Sequence, residues 1–305
     1  MTTAITRQDD MVKIVELVTD SLASQKSRTM YQAALLDFLT WYEDEGRPGL
    51  TKATVQRWKT CLQAKGLSSS TINQRLSAVR KLASEAADNG LIDPVVATGI
   101  TKVKGVKSAG VRSGNWLDWR QAMALLHAPD TTTLKGLRDQ AILAVMLGAG
   151  LRRSEVAALT FDHVQLRDGR FVIVDLRGKG NRTRTVPIPS WTKQAIDAWA
   201  AAAELHEGRI FRRVNKGNRL AGDGLTDQAV QDVVKYYADH CQVDLAAHDL
   251  RRTFAKLALK GGAAIQQIQL SLGHASIMTT ERYLGVSQDL TDAPCDHLGL
   301  RLSAD

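Results

Sequence analysis

Between residues 163 and 188 the apolar repeat changes from the helical period to a period of two, and this change constrains the fold more than any other feature of the chain. The stretch "HVQLRDGRFVIVDLRGKGNRTRTVPIP" reads as strands over about 163–166, 171–176 and 183–188. Alternation sends successive side chains to opposite faces of a sheet. The joints are Asp168-Gly169 and a "GKGN" tip, both suited to the positive backbone angles of tight hairpins. Three strands joined by short turns make an antiparallel meander. Everything around it repeats at helical spacing, so the expected fold is mainly α with one small three-stranded antiparallel sheet.

The helical stripes fall into two groups. Leu35, Phe38, Leu39 and Tyr42 share one helix face, as do Ile72, Leu76, Val79 and Ala83 behind a Ser-rich start that can cap a helix. Val55, Trp58 and Leu62 form a stripe begun near Thr51 and stopped by Gly66, and Val12, Ile14, Val15 and Val18 form a less regular one. These predict four or five helices ending near Ile100, and a first domain over 1–103. The run "TKVKGVKSAGVRSGN" then turns Gly-, Ser- and Lys/Arg-rich, which suits an exposed basic linker over 104–115. A second domain over 116–305 opens with a buried helix through Leu137, Ala141 and Val145 that runs to "GAGLRRSEVAAL". After the meander, helical patterns cover 191–206, 226–240, 248–260, 264–272 and 276–284. A chain of 305 residues is long enough for both domains to bury a core.

Forty Lys and Arg against 32 Asp and Glu give a net charge of +8, which favours a polyanionic partner such as nucleic acid. Cys61, Cys241 and Cys295 are odd in number and far apart, a pattern that argues against a disulfide framework or a structural zinc site. The longest apolar run, "AILAVMLGAGL", is too short and glycine-broken to span a bilayer, and "MTTAITRQDD" has no apolar signal segment. The composition therefore predicts a cytoplasmic protein with no membrane partner.

Taken singly, the candidate functional side chains carry little. Arg152 and Arg153 in "GLRRSE" read equally as surface arginines at a helix start, with Glu155 favourable in the first turn. Lys179 sits at a hairpin tip, where solvated charge is common. His248 and Arg251 in "HDLRRTF" share a helix face, as they would on any amphipathic helix. His274 follows a glycine in a turn, and Tyr283 alone is no signal.

Their order is different evidence. Arg152 in "GLRRSE", Lys179 in "GKGN", His248 and Arg251 in "HDLRRTF", His274 in "LGHAS" and Tyr283 in "TTERY" together resemble the tyrosine recombinases, the phage integrase family. The resemblance covers the chain from about Trp116 onward, and the stretch "STINQRLSAVRKLASEAADNGLI" is similar, more loosely, to the family's SAM-like core-binding domain. One departure is visible: a second histidine often follows the motif arginine, and Arg252 stands there instead.

The resemblance implies a DNA breaking-rejoining fold and a site-specific recombinase acting through a 3′-phosphotyrosyl intermediate. It implies Tyr283 as nucleophile, Arg152 and Arg251 as phosphate clamps, and Lys179 as general acid. His248 becomes a proton-transfer partner, His274 a phosphate contact and Glu155 a supporting residue. With positive charge supplied by side chains, no metal and no cofactor are expected. Arg153, Arg177, Arg182, Arg184, Arg212, Arg213 and Arg252, with Lys216 and Arg219, are expected to contact DNA. The implied partner is double-stranded DNA with paired core sites, clamped between the two domains. Four protomers form the synaptic complex, with a monomer as the free form. The tail with Leu290, Leu298, Leu300 and Leu302 would then dock on a neighbouring protomer. Because helices begin almost at Met1, no additional arm-binding domain is expected. Two other readings share part of the pattern: a type IB topoisomerase-like enzyme that relaxes DNA, and a catalytically inactive DNA-binding homologue.

Overall fold

The computed structural model describes residues 8–107, 115–177 and 183–285. Lys179 and Arg182 at the hairpin tip, and the tail bearing Leu290, Leu298, Leu300 and Leu302, lie outside the described residues, as does the side chain of Arg177. The chain divides into two compact units, Met1–Val111 and Arg112–Asp305.

The first unit is a bundle of five helices: α1 Gln8–Asp20, α2 Gln25–Asp44, α3 Lys52–Ala64, α4 Ser69–Asp88 and α5 Pro94–Thr101. Their starts follow capping chemistry. The side chains of Thr51, Ser68 and Asp93 accept backbone N–H groups of the first turns of α3, α4 and α5, and Pro94 opens α5 where no donor is needed. The apolar stripes converge on Trp58, which meets Phe38 edge-on at 4.9 Å between ring centroids. Burying each such aromatic contributes about 2–3 kcal/mol.

The basic run after α5 is only partly the exposed linker that its composition suggests. Val103 is buried and Val106 packs on the same core. The Asn73 amide brackets the backbone of Val106, Nδ2 donating to its carbonyl at 2.9 Å and Oδ1 accepting its N–H at 2.8 Å. A side-chain amide thus satisfies both polar groups of a segment that has no secondary structure of its own. Residues 103–107 form a strap on α4, and Gly105 lets it close, because a Cβ there would stand 2.5 Å from Asn73 Oδ1.

The second unit begins with α6 Trp119–His127, α7 Leu134–Ala149 and α8 Arg153–Ala158. A short 3-10 turn leads to β1 Val164–Arg167, β2 Arg170–Arg177 and β3 Thr183–Pro187, paired antiparallel in the order β1-β2-β3. Asp168 and Gly169 both take positive φ, +50° and +73°, the mirror-image turn that matches strand twist. The register pairs Val164 with Ile173, Ile173 with Val186, and Leu176 with Arg184. One more residue on β2 than on β3 lies between the last two pairs, a bulge at Val174 and Asp175. It interrupts the period of two beyond Ile173, in a strand whose Val172, Ile173, Val174 and Leu176 are all buried.

The chain continues through α9 Ser190–Ala202, β4 Arg213–Val214, β5 Leu220–Ala221, α10 Asp227–His240, α11 Ala247–Lys260, α12 Ile265–Leu272 and α13 Ile277–Leu284. The helix expected over 191–206 stops at Ala202, and Glu204 turns the chain with φ of +52°. The β4-β5 hairpin carries too few residues to leave a periodic signal. Helix α7 runs through the middle of the main core and is buried on nearly all sides. It even carries a buried ion pair: Arg138 donates to Asp139 Oδ1 at 2.6 and 2.9 Å, and Tyr237 donates to Asp139 Oδ2 at 3.2 Å. Helices α11, α12 and α13 share a smaller cluster of Ala255, Ile268, Leu272 and Leu284. Among the described residues no helix is long and apolar enough to cross a membrane.

Candidate active site

The site is assembled where two helices end. Helix α7 stops at Gly150 in the left-handed conformation, φ +60°, and a Cβ there would stand 2.6 Å from the Phe254 ring. Helix α12 stops in the same way at Gly273, φ +62°, where a Cβ would meet Arg184 Cδ at 2.9 Å. The last carbonyls of a helix lack partners and carry the negative end of its dipole. Arg251 supplies both ends at once, donating from Nη1 to Gly150 O at 2.6 Å and from Nη2 to Leu272 O. Arg184 adds a bond from Nε to Ser271 O at 2.9 Å. Two arginines therefore fix the turn that leads to His274.

Glu155 collects the other ends. It accepts the Arg152 backbone N–H and Arg152 Nη1, each at 2.8 Å, and both terminal nitrogens of Arg184, also at 2.8 Å. Burial alone would raise its pKa, but Arg184 and then Arg152 hold it down to about 2. Arg251 is buried; desolvation and the Arg152 charge lower its pKa to about 9, so it stays charged at neutral pH.

Tyr283 lies on α13, half-buried against the smaller cluster. The ring of His274 meets it edge-on at 5.3 Å and that of His248 at 5.7 Å, while Arg252 Cζ stands 4.8 Å from its ring centroid. The Tyr283 hydroxyl donates to the backbone carbonyl of His248 at 3.3 Å. Burial raises the phenol to about 12, although Arg251 and Arg252 pull the other way. His274 is held at both ends: its backbone N–H donates to Gln269 O, and its Nδ1 lies 3.0 Å from the buried Thr280 hydroxyl. Desolvation, followed by Arg251 and Arg152, pushes its imidazole down to about 4. His248 stands at the solvent edge; the crowding of its ring, then Arg251 and Arg252, lowers its pKa as well. Both imidazoles are therefore neutral at neutral pH.

The structure thus brings Arg152, Glu155, His248, Arg251, His274 and Tyr283 together from four separate segments. Two arginines expected on DNA are placed otherwise. Arg184 is largely buried, and all three of its guanidinium nitrogens are engaged by Glu155 and Ser271. Arg252 lies on the face of Tyr283 and pairs with Asp249 at 3.3 Å. Of the remainder, Arg153 lies 3.5 Å from Asp227, and Arg212 donates to the carbonyls of Glu207 and Arg209. Arg213, Lys216 and Arg219 are exposed around the β4-β5 hairpin. Thr280 escaped sequence reasoning, since a threonine within a helix carries no signal until the fold places it beside His274. Among the described residues, no group of His, Cys, Asp and Glu is arranged to hold a metal ion.

Residues 115–289 match the phage integrase family, and residues 16–90 match the phage integrase N-terminal SAM-like domain. A helical body around a three-stranded meander, with arginines and histidines gathered about one tyrosine, is that of a tyrosine recombinase, an enzyme that cleaves and rejoins DNA strands. The chain belongs to the phage integrase family and is of the Xer type. It is 30% identical over 267 residues to the tyrosine recombinase XerC of Pseudomonas fluorescens, covering 85% of each chain. It is 32% identical over 233 residues to XerC of Thermodesulfovibrio yellowstonii, covering 73% of each. In fold it is similar to XerH site-specific recombinase bound to palindromic difH substrate, with TM-score 0.70, 18% identity, and 93% and 82% of the two chains covered. It is also similar in fold to a lambda integrase dimer bound to a core site, with TM-score 0.68, 14% identity, and 90% and 93% covered.

Proposed function

We propose that this recombinase cleaves double-stranded DNA through Tyr283 and rejoins it by way of a 3′-phosphotyrosyl link. The observation that carries the reading is the convergence on Tyr283 of two neutral imidazoles and three arginines, Arg152, Arg251 and Arg252. The Tyr283 oxygen attacks the scissile phosphorus, and the bond from phosphorus to the 5′-oxygen breaks. The phenolic proton passes to His248, whose lowered pKa leaves it free to accept one. Lys179, at the hairpin tip, gives a proton to the departing 5′-oxygen. The energy of the broken bond is kept in the phosphotyrosyl ester, so a 5′-hydroxyl of a second strand can reverse the step.

Phosphate meets the arginines in order of depth. Arg152 is about one-third exposed (32%) and stands at the surface of the site, whereas Arg251 lies behind it. Arg251 uses one N–H of each terminal nitrogen on carbonyls and keeps three of its five donors for phosphate oxygens. His274 adds a hydrogen bond from the turn. Because the Tyr283 hydroxyl rests on the His248 carbonyl, the ring must turn away from that contact before it can reach phosphorus.

The partner in this reading is duplex DNA carrying paired core sites, bound by four protomers in a synaptic complex within the cytoplasm. The DNA-bound states of XerH and lambda integrase support the duplex partner. The test begins by selecting bound duplexes from a random pool. The selected site is then nicked beside the cleavage position so that a cut strand diffuses away. The wild-type chain should yield a denaturant-resistant protein–DNA adduct and Tyr283→Phe none; an adduct with Tyr283→Phe would remove the tyrosine from its role.

A further inference from the structure

Among the described residues of the site, Arg252 is the arginine whose guanidinium lies on the tyrosine ring. Its side chain is 13% exposed, its Cζ stands 4.8 Å from the Tyr283 ring centroid, and Asp249 holds Nη1 at 3.3 Å. Asp249 is itself fixed, because its other oxygen accepts the Ala246 N–H at the start of α11. Arg252 Nε is buried and meets no acceptor among the described residues. A buried donor without a partner is costly, and the guanidinium that carries it lies over the electron-rich face of Tyr283, an attraction that works against that cost.

We propose that Arg252 is a positioning residue for the nucleophile: clamped by Asp249, it holds the Tyr283 ring by its face and favours negative charge on the phenolic oxygen as that oxygen meets phosphate. The proposal rests on the reading of Tyr283 as nucleophile. The other charged or titratable groups facing the ring are His248, Asp249 and Arg251 on α11, Arg152 before α8, and His274 in the turn before α13. Among them Arg251 and Arg152 are tied to carbonyls or to Glu155, whereas Arg252 alone lies on the ring.

The experiment uses the full-length chain and the nicked duplex, with single-turnover adduct formation followed from pH 6 to 10 and DNA affinity measured in parallel. Arg252→Gln should slow adduct formation about tenfold throughout this range, which lies wholly below the phenol's pKa of about 12, so the cost of losing the cation is the same at each pH. Its Kd for DNA should stay within about twofold of wild type, and Arg252→Lys should recover most of the rate. A rate equal to wild type overturns the proposal. So does a deficit that is matched by weaker binding, the result expected of a simple phosphate contact, or one that Arg252→Lys fails to reduce. If Arg252→Gln fails to fold, Arg252→Met preserves the apolar stem and is judged by the same two readouts. Tyr283→Phe is run alongside: an adduct from that variant defeats the nucleophile reading itself, whereas its absence with a wild-type rate for Arg252→Gln defeats only the role of Arg252.

Discussion

Arg184 and Glu155 meet through two parallel bonds, both terminal nitrogens of the arginine donating to both carboxylate oxygens at 2.8 Å, in a buried position. The pair joins β3 to α8, and the third Arg184 bond, to Ser271 O, joins both to α12. Removing Arg184 leaves the buried Glu155 charge with Arg152 as its remaining partner, a loss of up to about 3–5 kcal/mol. Arg184→Met should therefore lower the urea midpoint strongly. Glu155→Gln in the same background should restore part of the loss, because a buried charge left with half its partners is gone. Equilibrium denaturation of the two single variants and the double variant measures the coupling, and simple additivity would contradict it.

The acid dependence of stability has a definite sign. The Glu155 carboxyl falls from its ordinary 4.5 in the unfolded chain to about 2 in the folded one. Its stabilisation, about 3 kcal/mol, is complete above the unfolded value and is lost as pH falls from about 5 toward 2. The stability gap between wild type and Glu155→Gln should accordingly narrow as pH is lowered through this window. Denaturant midpoints at pH 7, 5 and 3.5 check it; a gap that stays constant would be the contrary result.

Much of this architecture was legible in the sequence, and the reasons differ by element. The meander was visible because Asp168-Gly169 needs positive φ and the strands alternate, yet the β2 bulge was not, since an extra residue only blurs a period of two. Arg152, His248, Arg251, His274 and Tyr283 could be picked out by their order and local context. Arg184 could not, because its partner Glu155 is 29 residues away and a basic strand in a basic chain reads as a DNA surface. Val103 and Val106 were hidden for a similar reason: two valines in a Lys- and Gly-rich run reveal their burial only once Asn73 is placed beside them.

Resistance to local opening should be uneven across the second unit. Helix α7 lies inside the main core, whereas α12 and α13 are held by the small cluster of Ala255, Ile268, Leu272 and Leu284. Segments with few buried apolar contacts open at lower free energy than the rest of a domain. Amide hydrogen exchange of α12 and α13 should therefore be at least about tenfold faster than that of α7 under native conditions. Equal protection in the three helices would show that the arginine bonds to Ser271 and Leu272 alone lock α12 to the main core.

The Thr280 hydroxyl gives the last prediction, which concerns the tautomer of His274. With its imidazole pushed down to about 4, the ring is neutral at pH 7, so one nitrogen carries a proton and the other accepts. Nδ1 lies 3.0 Å from Thr280 Oγ1, and a hydroxyl that donates there leaves the proton on Nε2, the nitrogen free to donate to a phosphate oxygen. Because the folded pKa lies below the unfolded one, the stability linked to this ring is complete above about 6.5 and is lost as pH falls toward 4. Nitrogen NMR of the labelled imidazole should show the Nε2–H form from pH 8 down to about 5. In Thr280→Val, which keeps the shape but removes the donor, the two tautomers should mix and strand cleavage should drop about tenfold with DNA binding retained. A titration midpoint near 6.5, or an unchanged tautomer in Thr280→Val, would show that the ring is governed by solvent rather than by its buried partner.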